Sequence, residues 1–252
     1  MQYHVKTIRK DVVPHGKILV YWLGGYGFML KFPTGQIVCI DPYLSDCVER
    51  IVGFRRLSLA PLSAEEVQTD IYLITHDHPD HLDVDSFDTI AAKNPCCTII
   101  VGKSCEASLK PKHAPHTIIK AGDTIRCGEL AFTAVEADHG TLCTDAIGFL
   151  IDCAGRSIYF TGDTALKEKL LAAAIARKPE IIVPCINPQF GNLGESGAAQ
   201  LVKKCEAKIA IPGHFGLFAE HGGDAGLFRE HVKAISPTTQ VVLLTPGTGE
   251  AI

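Results

Sequence analysis

The chain has 252 residues, 46% of them hydrophobic and 21% charged, with a formal net charge of −4. That balance fits a soluble globular chain with a sizeable core, expected as a single domain over 1–252. The acidic excess disfavours nucleic acid as a partner, and the absence of an 18-residue apolar run disfavours a membrane span.

The stretch Met1–Lys6 begins polar and lacks the apolar centre of a secretion signal. None of the ten cysteines forms a CxxC pair, and most lie in apolar runs such as Ile37–Ile40. They read as small buried hydrophobes in a reducing compartment rather than a disulfide framework, so the expected location is cytoplasmic.

Apolar runs over 17–24 and 27–32, split by Gly24-Gly25, predict a hairpin, and a third strand follows over 36–40. That strand ends in Asp41, either a turn-starting aspartate or a group that orients a metal-bound histidine. Residues 42–70 form a long connection with little periodicity that carries Arg50, Arg55 and Arg56. Such a loop can grip a phosphate or carboxylate, or can simply be a solvated charged face. Ser63-Ala64-Glu65-Glu66 reads as a helix start.

Strand 71–74 runs directly into Thr75-His76-Asp77-His78-Pro79-Asp80-His81. Helices are predicted over 85–92 and 103–109, with strands over 98–101, 116–120 and 130–137. The last of these leads into Asp138-His139-Gly140. A hairpin over 147–153 and 156–160 leads into Thr161-Gly162-Asp163. Then come a helix over 165–177, a strand over 181–184, a helix over 196–207, and a strand over 208–211 leading into Pro212-Gly213-His214. A helix over 224–234 and a closing strand over 240–244 complete the prediction.

The stretch from His76 to His81 packs three imidazoles and a carboxylate into six residues. Imidazole and carboxylate are ligands for zinc and similar ions, and a rigid strand end can aim them into a cleft. His76 and His78, two residues apart, can clamp one ion, while Asp80 and His81 beyond Pro79 can face a second. Two ions roughly 3.5–4 Å apart suit hydrolysis of an ester-like bond. Metal-type ligands recur at later strand ends: His139, Asp163 and His214. The remaining histidines, His4, His15, His113, His116, His221 and His231, read as ordinary surface or core residues. Of these, His221 lies close after His214 in a glycine-rich loop.

This series, HxHxDH followed by a histidine, a TGD-type aspartate and a PGH-type histidine, resembles the metallo-β-lactamase superfamily across Asp41–His214. The resemblance implies an α/β (α+β) fold, a four-layer αβ/βα sandwich with metals at one edge. It implies that His76, His78 and His139 hold one ion, that Asp80, His81 and His214 hold a second, and that Asp163 and a hydroxide bridge the two. The implied nucleophile is that metal-bound hydroxide, with Asp80 and His214 as candidate catalytic residues and Asp80 handling the proton. The cofactors implied are one or two divalent ions, zinc first, with manganese or iron compatible.

A narrower likeness lies in Tyr21–Phe28, Ile40–Asp46 and Gly53–Arg56, which resemble the L-ascorbate-6-phosphate lactonase group. It implies a cytoplasmic homo-oligomer that opens a lactone or similar ester of a small phosphorylated or otherwise anionic metabolite. Arg50, Arg55, Arg56 and Asn187 are its candidate substrate-binding residues. The alternatives are a phosphodiesterase of the same fold and a non-catalytic metal-stabilised binding protein. The flavodoxin-like domain of the redox relatives and the helical addition of the thioesterase relatives are not expected in these 252 residues.

Overall fold

A computed structural model describes residues 3–110, 112 and 114–252. His113 and the first two residues of the N-terminal stretch therefore lie outside the described residues. Among the described residues no helix is long and apolar enough to cross a membrane, and all ten cysteines are free, seven of them buried.

Two mixed sheets face each other. In the first, β1 (Tyr3–His4) is an outer strand. The meander of β2 (Leu19–Gly24), β3 (Gly27–Lys31) and β4 (Ile37–Ile40) is antiparallel. From there β5 (Ile71–Ile74), β6 (Thr98–Gly102) and β7 (Thr117–Ile119) add in parallel. The second sheet starts antiparallel with β8 (Thr124–Cys127), β9 (Leu130–Glu136), β10 (Ile147–Cys153) and β11 (Arg156–Phe160). It continues in parallel with β12 (Ile181–Val183), β13 (Ile209–Ala210) and β14 (Gln240–Val241). The chain then crosses back, and β15 (Thr248–Ala251) inserts between β1 and β2.

The unbroken apolar runs follow from burial on both faces of a strand. Val20, Trp22, Phe28, Leu30, Val38 and Leu73 point towards the other sheet and join Phe132, Phe149 and Phe160. Their neighbours Leu19, Tyr21, Met29, Cys39 and Tyr72 point the opposite way. There they meet Phe87 and Ile90 of the helix Phe87–Lys93. Leu171, Leu201, Val202, Phe228 and Val232 complete the larger core cluster. They come from the helices Glu168–Ala176, Glu195–Cys205 and Ala225–Ile235. The result is the expected sandwich of two sheets between helices.

Besides the unpredicted β1 and β8, three elements depart from the sequence prediction. Residues 47–52 of the long connection form a helix, Cys47–Val52, ended by Gly53 in the left-handed region. Ser63–Glu66 makes only a short 3₁₀ turn closed by a capping box. The final strand is β15, whose Thr-Gly-Glu-Ala sequence has no hydrophobic signature.

Candidate metal centre

Strand ends of both sheets deliver the seven ligand candidates to one edge of the sandwich. The nitrogens His76 Nε2 and His139 Nε2 each lie 3.1 Å from His78 Nδ1. Beside this trio, His81 Nε2 and His214 Nε2 are 3.0 Å apart, and Asp80 Oδ2 is 3.3 Å from His214 Nε2. Asp163 stands between the groups. Its Oδ1 is 3.1 Å from His214 Nε2 and 3.4 Å from His81 Nε2, while its Oδ2 faces His139 Nε2 at 3.7 Å. The geometry is two wells sharing one carboxylate.

The donor set fits a pair of divalent ions. Ligands about 2.0–2.1 Å from a tetrahedral ion lie roughly 3.4 Å apart, close to the spacings seen here. Ring nitrogens converge on one another with few hydrogens to share: two Nε2 atoms approach the single Nδ1 of His78. Asp163 Oδ1 is buried and lies in ion-pair range of two rings, yet forms no aligned hydrogen bond. Buried polar atoms aimed at a common point without partners are what an ion satisfies.

The groups behind these ligands fix their direction. Fully buried Asp41 accepts from the Thr75 amide at 2.8 Å, and its Oδ2 lies 2.7 Å from His81 Nδ1. A carboxylate at Nδ1 keeps the proton there and turns the Nε2 lone pair into the well. Asn192 Nδ2 donates to Asp163 Oδ2 at 2.7 Å. The Tyr26 hydroxyl donates to the Val183 carbonyl at 2.7 Å and accepts from Gly162 N at 2.9 Å. The Tyr26 ring centroid lies 5.6 Å from that of His81 and 5.9 Å from that of His214. Gly162 has a φ of +62°, and a Cβ there would clash with the Ile147 carbonyl oxygen, so only glycine lets the turn present Asp163. Of the six non-glycine residues with positive φ among the described residues, Asp41, Phe190 and His214 belong to this region. Backbone strain of this kind, of order 1–3 kcal/mol each, clusters where geometry serves function.

The facing histidines and carboxylates shift one another's protonation. Burial alone would lower His214, but Asp163 and Asp80 outweigh it and push it up to about 9. The same two carboxylates hold His81 well above its usual value against burial. Burial would raise Asp163 and Asp80, but the facing histidines hold both well below the carboxylate range. His76 is pushed down by burial and by His81, and His139 by burial with His78.

A cavity of about 220 Å3 opens beside the wells. Asn187 lines it, with a buried Oδ1 that has no hydrogen-bond partner. The three candidate arginines do not line it. Arg50 makes a two-pronged contact with Asp85 at 2.7 and 2.8 Å. Arg55 lies beside Glu49 at 3.5 Å. Arg56 is held by the carbonyls of Ser45, Ser58 and Tyr43, above the Tyr43 ring. The helix Cys47–Val52, which carries Arg50, and the segment after it turn these side chains to neighbouring carboxylates and carbonyls, leaving Val48 and Val52 towards the cavity. A larger hollow of about 430 Å3 lies on the far side of the His139 loop, lined in part by Lys103, Lys120 and Asp145. Among the seven ligand candidates only His139 reaches it.

His221, treated in the sequence as ordinary, is a wall of the smaller cavity, with its Nε2 4.0 Å from Asp80 Oδ2. Burial and His214 push it down to about 4, which makes it a neutral ring at pH 7. Its only sequence signal was its position in the glycine-rich loop after His214. Asn192 and Tyr26 carried none as site residues.

Fold and site together define a metal-dependent hydrolase of the metallo-β-lactamase type. The profile of the β-lactamase superfamily domain matches residues 37–215. A UPF0173 metal-dependent hydrolase from Archaeoglobus fulgidus is 29% identical over 239 residues, 90% of this chain and 96% of the relative. Another from Anaeromyxobacter dehalogenans is 30% identical, covering 92% of this chain and 86% of the relative. The chain belongs to this UPF0173 family of metal-dependent hydrolases within the β-lactamase superfamily. In three dimensions it is similar to an isothiocyanate hydrolase from Delia radicum gut bacteria. The TM-score is 0.75 at 19% identity, over 93% of this chain and 98% of that one.

Proposed function

We propose that the chain uses a binuclear metal site to open a lactone or a similar carboxylic ester of a small molecule. The observation that carries this is the pair of wells joined by Asp163, with its two oxygens directed to different histidine groups. His76, His78 and His139 would hold one ion, and Asp80, His81 and His214 the other. Five imidazoles and two carboxylates suit zinc and also accept manganese or iron. When bound, the ions supply an activated water and a Lewis acid for the carbonyl oxygen.

The protein's own groups do the rest. Asp41 holds the His81 tautomer, and Asn192 holds the Asp163 carboxylate. Asp80 lines the cavity as well as the second well, so it can pass a proton to the departing ring oxygen. The new bond is from water oxygen to the acyl carbon, the ring C–O bond breaks, and the product is a hydroxy acid. Phosphorylated substrates gain no support from Arg50, Arg55 or Arg56, which are engaged elsewhere.

The test is metal content and hydrolysis measured together on untagged protein purified without chelator. Two ions per chain, falling to one or none in Asp163→Ala, with lactone opening lost in the variant, is the expected result. Bis(p-nitrophenyl) phosphate turned over far faster than any lactone would move the assignment to a phosphodiesterase. A folded protein that takes up no metal would overturn the catalytic reading.

A further inference from the structure

We infer that the cavity beside the metal centre selects a neutral substrate carrying an apolar arm, with the reacting carbonyl at the wells and the arm among Phe54, Phe190, Leu142 and Val52. This rests on the hydrolytic reading above and names the class of molecule it acts on.

Beside the loop of His78, Pro79 and Asp80 and the turn of Asp163, four further segments line the cavity. The helix Cys47–Val52 and its exit give Val48, Val52 and Phe54, and the His139 loop gives Leu142. The turn after β12 gives Asn187 and Phe190, and the loop after His214 gives His221. Three rings form one wall. Phe54 and Phe190 lie 5.9 Å apart at 32°, and His221 stands edge-on to them at 6.2 and 5.8 Å. Apart from the metal-ligand candidates, no charged side chain among the described residues lines the cavity. Away from the wells, a phosphate or carboxylate arm would lose its water and meet no lysine or arginine among the described residues in return. An alkyl or aryl arm loses only unfavourable contact with water.

Size and exposure agree. At about 220 Å3 the space exceeds the roughly 150 Å3 cavity known to take a benzene ring. Val52, Leu142 and Phe190 are each about half exposed, at 48%, 52% and 47%, although all three are large and apolar. Apolar side chains gathered at a cleft mouth mark a binding surface. Phe190 adds an independent sign. Its backbone sits at φ +64° and ψ +19°, a conformation a bulky residue rarely adopts. Glycine would relax that turn, so an aromatic ring at this position serves its side chain rather than its backbone.

The experiment uses the full, metal-loaded chain and γ-lactones bearing methyl to hexyl arms, with a phosphorylated sugar lactone as the charged comparator. The binding of the matching γ-lactams, which resist hydrolysis, is measured by calorimetry in parallel. Expected is a rise in kcat/KM, and a parallel fall in lactam Kd, of about three- to fourfold per methylene over the first few carbons, levelling as the cavity fills. In Phe190→Gly, which suits the left-handed backbone, the hexyl-to-methyl ratio drops about tenfold or more. A flat or falling series, or a phosphorylated lactone preferred over the hexyl one, overturns the inference. Should no lactone or ester turn over, the hydrolytic reading fails, and the lactam series still decides whether the cavity takes an apolar arm.

Discussion

Asp41→Asn isolates the tautomer control of one well. The substitution keeps volume and shape, and asparagine tolerates the φ of +43° found at this position. The amide oxygen can still accept from the Thr75 amide, now made at 2.8 Å. The amide nitrogen, however, would replace the carboxylate oxygen that sits 2.7 Å from His81 Nδ1. A donor there favours the tautomer with its lone pair on Nδ1 and its hydrogen on Nε2, the atom that faces the second well. Loss of such an orienting carboxylate costs about 10–100-fold in metal affinity, or ~1.4–2.7 kcal/mol. The loss should fall mainly on the Asp80–His81–His214 well, because Asp41 meets His81 directly and reaches His76 only through the Thr75 hydroxyl. Competition against a chromophoric chelator gives the two stepwise constants, and nitrogen NMR of His81 reads the tautomer directly. An unchanged second constant, or equal losses in both wells, would refute the reasoning.

Metal affinity at the second well should climb with pH. His214 is pushed up to about 9 without metal, so at neutral pH a proton must leave before Nε2 can ligate. The apparent affinity should therefore rise about tenfold per pH unit from pH 6.5 and flatten near 9, more steeply where His81 also releases a proton. Chelator competition across that range checks it, and a flat profile would show that no proton is displaced. Away from the site, Lys31→Met should cost about 2–3 kcal/mol. The ammonium is buried and donates to the carbonyls of Ile8, Arg9 and Asp11 at 3.0, 2.8 and 2.8 Å, pinning the N-terminal segment to β3. A Tm drop of roughly 4–12 °C is expected for a chain of this size, and a drop of under a degree would show those carbonyls are rehydrated at no cost.

The convergence of the ligand candidates was legible because metal chemistry restricts both residue type and position. His76, His78, Asp80 and His81 share one loop, and the later candidates His139, Asp163 and His214 each follow an apolar strand and have an adjacent glycine. Strands buried on both faces were equally plain, as in β10 and β11. What escaped notice depends on contacts between segments far apart in the chain. β15 is held by its neighbours β1 and β2, not by its own Thr-Gly-Glu-Ala sequence. Asn192 reaches Asp163 across 29 residues, and Tyr26 reaches Thr161 across 135. The contacts of the candidate arginines escaped the sequence for the same reason. A guanidinium takes whichever carboxylate folding brings near, and for Arg50 that is Asp85, 35 residues away.

The hairpin of β2 and β3 shows how a sequence signature can mark scaffold instead of chemistry. Its Trp-Leu-Gly-Gly-Tyr-Gly-Phe run contributes no ligand, yet it braces the second well from three sides. His214 N donates to the Gly25 carbonyl at 2.7 Å, which helps hold His214 in its left-handed conformation. Trp22 stacks on Phe215 at 4.7 Å, fixing the start of the loop that carries His221. Tyr26 ties the Thr161-Gly162 turn, and hence Asp163, to β12. One hairpin thus sets the spacing of two ligands that come from different loops of the opposite sheet. The division of labour follows: the hairpin and Asp41 fix the wells, which suit hydrolysis of many bonds, while the apolar rim of Val52, Leu142 and Phe190 comes from the end of the helix Cys47–Val52 and from two loops and supplies none of the ligand candidates. Specificity in this chain is therefore to be sought in Phe54, Phe190 and His221 rather than in the ligand set.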